Sequence, residues 1–321
     1  MNESATAPAL LALDWGTSSL RACLVDSQGQ VLANRRADHG IQHLPAAATR
    51  QDGFRAAFTQ IAFDWLSHWP GLPVAASGMV GSAQGWQEAP YARTPAGLAE
   101  VAARAIALDA PGGARLHVAP GILHEPAGAA PDVMRGEEIQ IFGALAAQPA
   151  LADGACFVLP GTHSKWVRVE GGRIVGFSSY MTGELFALLK AHSTLGALID
   201  EHAGIDPEGF PLGLRAAAES QAADLPHQLF AVRTLGLTGR LPRAALGEYL
   251  SGLLIGHEVF PALRAHADLL GAGAPLVLIG EEALCARYAH VLAPHVASAP
   301  RLLANTAPRG LLAFARAAAL L

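Results

Sequence analysis

Two turns in the 321-residue sequence carry residue types that suit a phosphate group. In Asp14-Trp15-Gly16-Thr17-Ser18-Ser19 the glycine admits close backbone approach, Thr17, Ser18 and Ser19 add N–H and hydroxyl donors, and Asp14 puts an acceptor at the end of an apolar run. Consecutive backbone N–H groups in a turn bind anions, and a magnesium ion bridging phosphates prefers a carboxylate or its water shell. Asp14 is therefore the candidate metal contact. The second turn, Gly161-Thr162-His163-Ser164-Lys165-Trp166, repeats the pattern and adds His163 and Lys165, two groups that can carry positive charge toward the β- and γ-phosphates. Each turn alone also reads as an ordinary hairpin, because Gly, Ser and Thr dominate turns for conformational reasons. Lys165 equally reads as a solvent-facing strand lysine.

Met134-Arg135-Gly136-Glu137-Glu138 places an arginine and two carboxylates ahead of an apolar helical run. Deprotonating a sugar hydroxyl during attack needs a carboxylate within hydrogen-bond reach, and Arg135 could grip a substrate carboxylate bidentately or stabilise the transferring charge. Glutamates in a first helical turn are also favoured simply by the macrodipole. Ser77–Trp86 follows a strand with three glycines and an aromatic, which suits a loop over a sugar or a tight structural turn; Gly81, Ser82 and Trp86 are its candidate contacts. Met181-Thr182-Gly183-Glu184 reads as a helix start with Thr182 as cap and Glu184 in the first turn, where Glu184 is a further candidate contact. Gly280, after the apolar run Leu276–Ile279, is where a nucleotide base could lie.

The elements that must hold these turns are readable from periodicity. Leu10–Leu13, Leu20–Asp26 and Val31–Arg36 read as a meander of three strands, and Phe54, Phe58, Ile61, Trp65 and Leu66 recur at helical spacing before Pro70 and Gly71. Val74–Ser77 reads as a returning strand. The strand–turn–strand unit recurs from Cys156 to Phe177, so the chain reads as two similar α/β domains facing a cleft, where ligands usually sit. The glycine- and proline-rich Pro111–Pro131 reads as the crossover between them. Leu214–Phe230 and Arg243–Leu270 read as helices, the second kinked near Pro261, and a last helix over about Thr306–Leu321 is expected to pack on the N-terminal half. The expected domains are 1–115, with residues 306–321 returning to it, and 116–305.

With 51% hydrophobic and 15% charged residues the chain can bury enough apolar surface to offset its folding entropy. A net charge of −5 without a basic run argues against a nucleic-acid partner. The segment Met1–Pro8 lacks the basic start and long apolar stretch of a secretory signal, and no stretch approaches a bilayer span. Cys23, Cys156 and Cys285 lack zinc or redox spacing and read as small hydrophobes in a reducing, cytoplasmic compartment.

Taken together, LDWGTSSLR (Leu13–Arg21), GMVGS (Gly78–Ser82), VMRGEE (Val133–Glu138), LPGTHSKWV (Leu159–Val167), MTGEL (Met181–Leu185) and LSGLLIG (Leu250–Gly256) resemble the 2-dehydro-3-deoxygalactonokinase family of the actin, hexokinase and Hsp70 ATPase superfamily. The resemblance implies two ribonuclease-H-like (actin-like ATPase) domains. It also implies ATP- and magnesium-dependent phosphorylation of 2-dehydro-3-deoxy-D-galactonate at its C6 hydroxyl, in galactonate breakdown. By that analogy Asp14 lies near the metal, Gly16, Thr17 and Ser18 form the first phosphate loop, and Gly161, Thr162 and His163 form the second. The catalytic carboxylate maps to Glu137, with Glu138 in reserve. Two alternatives stay open: a kinase for another sugar acid or ketose, and a non-catalytic sugar- or nucleotide-binding regulator of the same fold. Homo-oligomerisation also stays open.

Overall fold

In the computed structural model, which describes residues 7–199, 204–221 and 224–321, β1 (Leu10–Trp15) is buried almost end to end. Such a continuous apolar run is what a central strand covered on both faces requires. On one side β1 pairs antiparallel with β2 (Leu20–Val25), which pairs antiparallel with the edge strand β3 (Val31–Ala37). The meander read from the sequence is thus present. On its other side β1 runs parallel to β4 (Val74–Gly78), reached through α1 (Arg50–His68). The Thr49 side chain caps α1 by accepting the Asp52 N–H, and the helix buries Phe54, Phe58, Ile61 and Trp65 against the sheet.

Beyond β4 the chain forms β5 (Ala92–Arg93), α2 (Leu98–Ala102), β6 (Ile106–Asp109), β7 (Arg115–Val118), β8 (Ile122–His124), β9 (Asp132–Met134) and α3 (Glu137–Ala147). The six-stranded sheet has the order β3-β2-β1-β4-β7-β6, and β5-β8-β9 form a small separate sheet. Pro111–Pro131, expected as a crossover, instead carries β7 and β8. Its glycines and prolines bracket strands too short to show a period.

Next come β10 (Gly154–Leu159), β11 (Ser164–Glu170), β12 (Arg173–Tyr180), α4 (Thr182–His192), α5 (Gly209–Ala218), α6 (Leu225–Leu237), α7 (Arg243–Ala265) and α8 (Ala267–Gly271). They are followed by β13 (Leu276–Ile279), α9 (Glu282–Leu292), β14 (Arg301–Leu303) and α10 (Ala307–Ala317). The second sheet has the order β12-β11-β10-β13-β14. In both sheets the first strand of a consecutive trio lies between the second strand and a strand from far downstream, so the recurrence read at Cys156–Phe177 extends to strand order. The single helix expected over Leu214–Phe230 is two, α5 and α6, with Pro226 in the first turn of the second. The expected helix over Arg243–Leu270 passes Pro261, ends at Ala265 and restarts as α8.

The described residues fall into two compact units. The first holds the chain up to Phe157 with Val167–Ser178 and Leu303–Leu321, and the second holds Val158–Trp166 with Ser179–Leu302. The first therefore runs past residue 115, the boundary read from the sequence, and takes in β8, β9 and α3. Its core gathers Leu11, Leu13, Trp15, Phe54, Phe58 and Trp86, while one core of the second gathers Val232, Leu246, Leu250 and Leu253 from α6 and α7. Among the described residues no helix is long and apolar enough to cross a membrane. The three cysteines are unpaired. Met1–Thr6, part of the segment read for a secretory signal, lies outside the described residues.

In the first unit α10 packs on α3 through glycines. A Cβ on Gly310 would stand 1.9 Å from the Ile139 carbonyl oxygen, and one on Gly143 would stand 2.1 Å from that of Thr306. Alanine is the better helix former by about 1 kcal/mol, but a methyl group against backbone cannot be relieved by a side-chain turn. Gly310→Ala is expected to destabilise the protein by about 1–3 kcal/mol in denaturant unfolding.

Candidate active site

In the first unit three backbones meet with no side chain between them. Gly78, at the end of β4, has φ 92° and lies so close to β1 that a Cβ would fall 2.7 Å from the Trp15 carbonyl oxygen. Gly136, at the N-cap of α3, has φ 107°, and its Cβ would lie 3.2 Å from the Gly78 Cα. Both positions require glycine, for conformation and for space. The contact brings the head of α3 to the end of β1, where Asp14 is the register partner of Ser77 on one side and of Arg21 on the other.

The first loop leaves β1 at this point. Gly16 N–H closes it by donating to the Ser19 carbonyl, while the carbonyls of Gly16 and Thr17 accept from the N–H groups of Ile41 and Gln42. Its backbone is thus braced from behind, with the Thr17 and Ser18 side chains exposed. Asp14 is 3.5 Å from the Arg21 guanidinium. Burial pushes its carboxyl up, and Arg21 opposes that shift.

At the head of α3 the two glutamates fold back on the chain. Arg135 N–H donates to Glu137 Oε2 at 3.0 Å, and Gly136 N–H donates to Glu138 Oε2 at 2.6 Å. Glu138 is 0% exposed, and its Oε1 has no partner among the described residues. Burial drives its carboxyl up to about 8, with the neighbouring Glu137 charge adding to the shift. Glu137 is only half-buried, so of the two it is the carboxylate that can meet a ligand. The Arg135 guanidinium lies 4.4 Å from the Tyr91 ring centroid, and its Nη2 donates to the Ala89 carbonyl at 3.0 Å. Its Nε and Nη1 are buried without hydrogen-bond partners among the described residues. Gly81 stands beside it, since a Cβ there would be 3.1 Å from Arg135 Nη1. Ser82 donates its hydroxyl to the Met79 carbonyl. Trp86, expected at a sugar, is 5% exposed and stacks among Trp15, Phe54 and Phe58, where it anchors the loop from inside the core.

The second unit contains the second loop and a cavity of about 510 Å³, a volume usual for small-molecule sites. Gly161, Thr162, Thr182, Gly183, Arg287 and Tyr288 are among its lining residues. Gly161 N–H donates to the Ser164 hydroxyl at 3.4 Å, echoing the closure of the first loop. The head of α4 packs directly on this loop. A Cβ on Gly183 would be 2.4 Å from the Gly161 carbonyl oxygen, and Glu184 N–H donates to the Thr162 carbonyl. Thr182, expected as the cap, is the first helical residue instead, and the cap position falls on Met181. His163 and Glu184 pair at 2.5 Å, so the candidate substrate contact Glu184 is engaged by the loop.

Lys165 is 5% exposed within β11, so it is not a solvent-facing lysine, and it lies outside the cavity lining. Gly280 is not among the residues that line the cavity, although its followers Glu281, Ala283 and Leu284 are. Glu281 caps α9 by accepting the N–H groups of Ala283 and Leu284. The Arg287 guanidinium is braced flat by Glu248 and Ser251, with the Phe210 ring 4.7 Å from its carbon. A planar cation held this way suits stacking by a flat base.

Sequence reasoning missed Glu258 on α7, which is 1% exposed and accepts from Trp166, Thr182 and Tyr288. Its position in an apolar helical run gave no signal. Nothing in the residue pattern marked Arg287 either.

Residues 14–314 match the family model for 2-keto-3-deoxy-galactonokinase. The chain belongs to that family. A protein of Rhizobium meliloti named as a probable 2-dehydro-3-deoxygalactonokinase is 37% identical over 322 residues, covering 97% of this chain and 98% of the relative. The 2-dehydro-3-deoxygalactonokinase of Escherichia coli is 35% identical over 285 residues, 87% of each chain. A crystal structure of a candidate 2-dehydro-3-deoxygalactonokinase from Sinorhizobium meliloti superposes with a TM-score of 0.78 at 35% identity, covering 96% of this chain and 98% of that one. The 2-keto-3-deoxy-galactonokinase family match thus spans both glycine-threonine loops and the head of α3.

The burial of Glu138 has a measurable consequence. Its folded carboxyl holds a proton from the ordinary value of 4.5 up to about 8, so across that window the folded state binds more protons than the unfolded one. Stability from this group is full below the window and is lost as pH rises through it. Glu138→Gln removes the titration. Its stability relative to the parent should rise between about pH 5 and pH 8 by at most about 4 kcal/mol, measured by denaturant unfolding at both pH values.

Proposed function

We propose that the chain is an ATP-dependent kinase that phosphorylates 2-dehydro-3-deoxy-D-galactonate at its C6 hydroxyl, a step in galactonate catabolism. The observation that carries this reading is the pairing of Glu137 with Arg135. A half-buried carboxylate stands two residues from a guanidinium whose Nε and Nη1 are buried without hydrogen-bond partners among the described residues. A ligand carrying both an acidic group and a hydroxyl to be deprotonated answers both. Family membership and the names of the relatives support the same substrate.

In this reading Arg135 holds the sugar-acid carboxylate, with Tyr91 fixing the guanidinium plane from below. Gly81 and Ser82 flank the sugar. Glu137 takes the proton from the attacking hydroxyl. The cavity of the second unit receives the nucleoside, with the base against Arg287, and Gly161 and Thr162 hold phosphates as Gly16, Thr17 and Ser18 do from the first unit. The proposal requires two actin-like ATPase domains facing a cleft, so that both loops reach one triphosphate. Asp14 fits a magnesium site. It is a single carboxylate at a strand end beside an exposed hydroxyl loop, and magnesium usually takes one or two protein carboxylates and completes its shell with phosphates and water. When bound, the ion would neutralise charge on the β- and γ-phosphates. Dependence on ATP and three unpaired cysteines fit a cytoplasmic enzyme.

A coupled ADP-release assay across sugar acids, including the gluco-epimer, and a neutral ketose tests the proposal. The highest kcat/KM is expected with 2-dehydro-3-deoxy-D-galactonate; release with no compound would point to a binding protein, and preference for another acceptor would replace the substrate. Glu137→Gln should lower kcat by about 10²–10⁴-fold with little change in the KM for ATP, and unchanged turnover would remove Glu137 as the base. Arg135→Lys, which cannot offer a planar fork, should raise the KM for the acid by about 10–100-fold.

A further inference from the structure

Glu258 lies within α7 at 1% exposure, where an ionised carboxylate is costly unless every lone pair is answered. It is answered from three separate elements. Trp166 Nε1 on β11 donates to Oε1 at 2.9 Å, while the Thr182 hydroxyl at the head of α4 and the Tyr288 hydroxyl on α9, the latter at 2.7 Å, both donate to Oε2. The network continues to the second loop. Ser164 Oγ is 3.2 Å from the Tyr288 hydroxyl and accepts the Gly161 N–H. Thr182, Tyr288 and Gly161 line the cavity, whereas Glu258 does not.

An apolar side chain of similar volume would fill such a space with no desolvation penalty, and exchanges of that kind are often neutral or stabilising. What it could not do is fix direction. With Glu258 accepting on both oxygens, the Thr182 and Tyr288 hydroxyls must point inward as donors, the indole is pinned, and the first turn of α4 is held against the loop at Gly183.

We propose that Glu258 is a positioning residue for the nucleotide: it locks the second loop and the head of α4 in one arrangement along the cavity wall that receives the phosphates. The inference rests on the reading that the cavity of the second unit receives ATP. Burial pushes the Glu258 carboxyl up, while the hydrogen bonds from Thr182, Tyr288 and Trp166 oppose that shift and favour the charged acceptor.

Glu258→Gln tests it while keeping shape and bonding capacity. The indole can only donate, so the amide oxygen must face Trp166 and the amide nitrogen must face Thr182 and Tyr288, whose hydroxyls would have to turn round. ATP binding by calorimetry should weaken about tenfold or more in this variant, and the KM for ATP should rise in step, while the KM for the sugar acid changes less than about twofold. Thr182→Val should weaken ATP binding similarly, and the double variant should bind little worse than either single one, because both break one network. ATP affinity within about twofold of the parent in Glu258→Gln, equal changes in both KM values, or multiplicative losses in the double variant would overturn the proposal. Should Glu258→Gln fail to fold, Tyr288→Phe decides, since it removes one donor: weaker ATP binding at an unchanged melting temperature supports the role, and unchanged binding rejects it. A parent protein that binds ATP but phosphorylates no sugar acid would sink the enzymatic reading and leave this one to its own result; a parent that binds no ATP would sink both.

Discussion

The close approach of three backbones at Trp15, Gly78 and Gly136 is the constraint on which the first unit's chemistry depends. Strand β1 ends where the chain after Asp14 turns into a donor-rich loop, and helix α3 begins at Glu137, the proposed base. These ends come together only if nothing larger than hydrogen lies between them. Two residues with left-handed φ make that possible, so the glycines of GMVGS and VMRGEE act as spacers that set where other residues' side chains stand. The α3–α10 packing works the same way one layer further back, with Gly143 and Gly310 letting the C-terminal helix lie against α3.

The second unit solves the same problem with different chemistry. Gly183 lets the head of α4 touch the Gly161 carbonyl, but the loop is then tied by hydrogen bonds to a buried carboxylate and not by backbone packing alone. A buried acid is the more demanding device, since removing any donor leaves a buried acceptor unanswered. In return it fixes direction as well as distance.

Much of this was legible in residue order. The meander, α1 and the recurrence at Cys156–Phe177 follow from periods that depend only on which face is buried, and the two loops follow from turn chemistry repeated at equivalent places. The losses share one cause: a residue's role was set by partners distant in sequence. Trp86 looks like a sugar platform beside glycines, yet its ring fills a gap among Trp15, Phe54 and Phe58. Thr182 looks like a cap, but its hydroxyl is taken by Glu258, 76 residues away. Glu258 itself lies in a helix whose apolar neighbours give no hint that three donors converge on it. Pro111–Pro131 failed for a different reason, because strands of three and four residues are shorter than any period that could reveal them.

The adjacent pair Glu137 and Glu138 shows how burial separates two residues that sequence leaves equivalent. Both stand in the first turn of α3, where the helix dipole favours negative charge, and each accepts a backbone N–H from the residue two before it. Two full charges side by side at one helix end would repel, and the structure relieves this by enclosing one of them. Glu138 has no exposed surface and an oxygen without a partner among the described residues, and burial drives its carboxyl up to about 8. A neutral acid cannot serve as the base, and a sealed one cannot reach a hydroxyl. In the proposed reaction the base at this helix end is accordingly Glu137, and the role left to Glu138 is to occupy the interior behind it without adding a second charge.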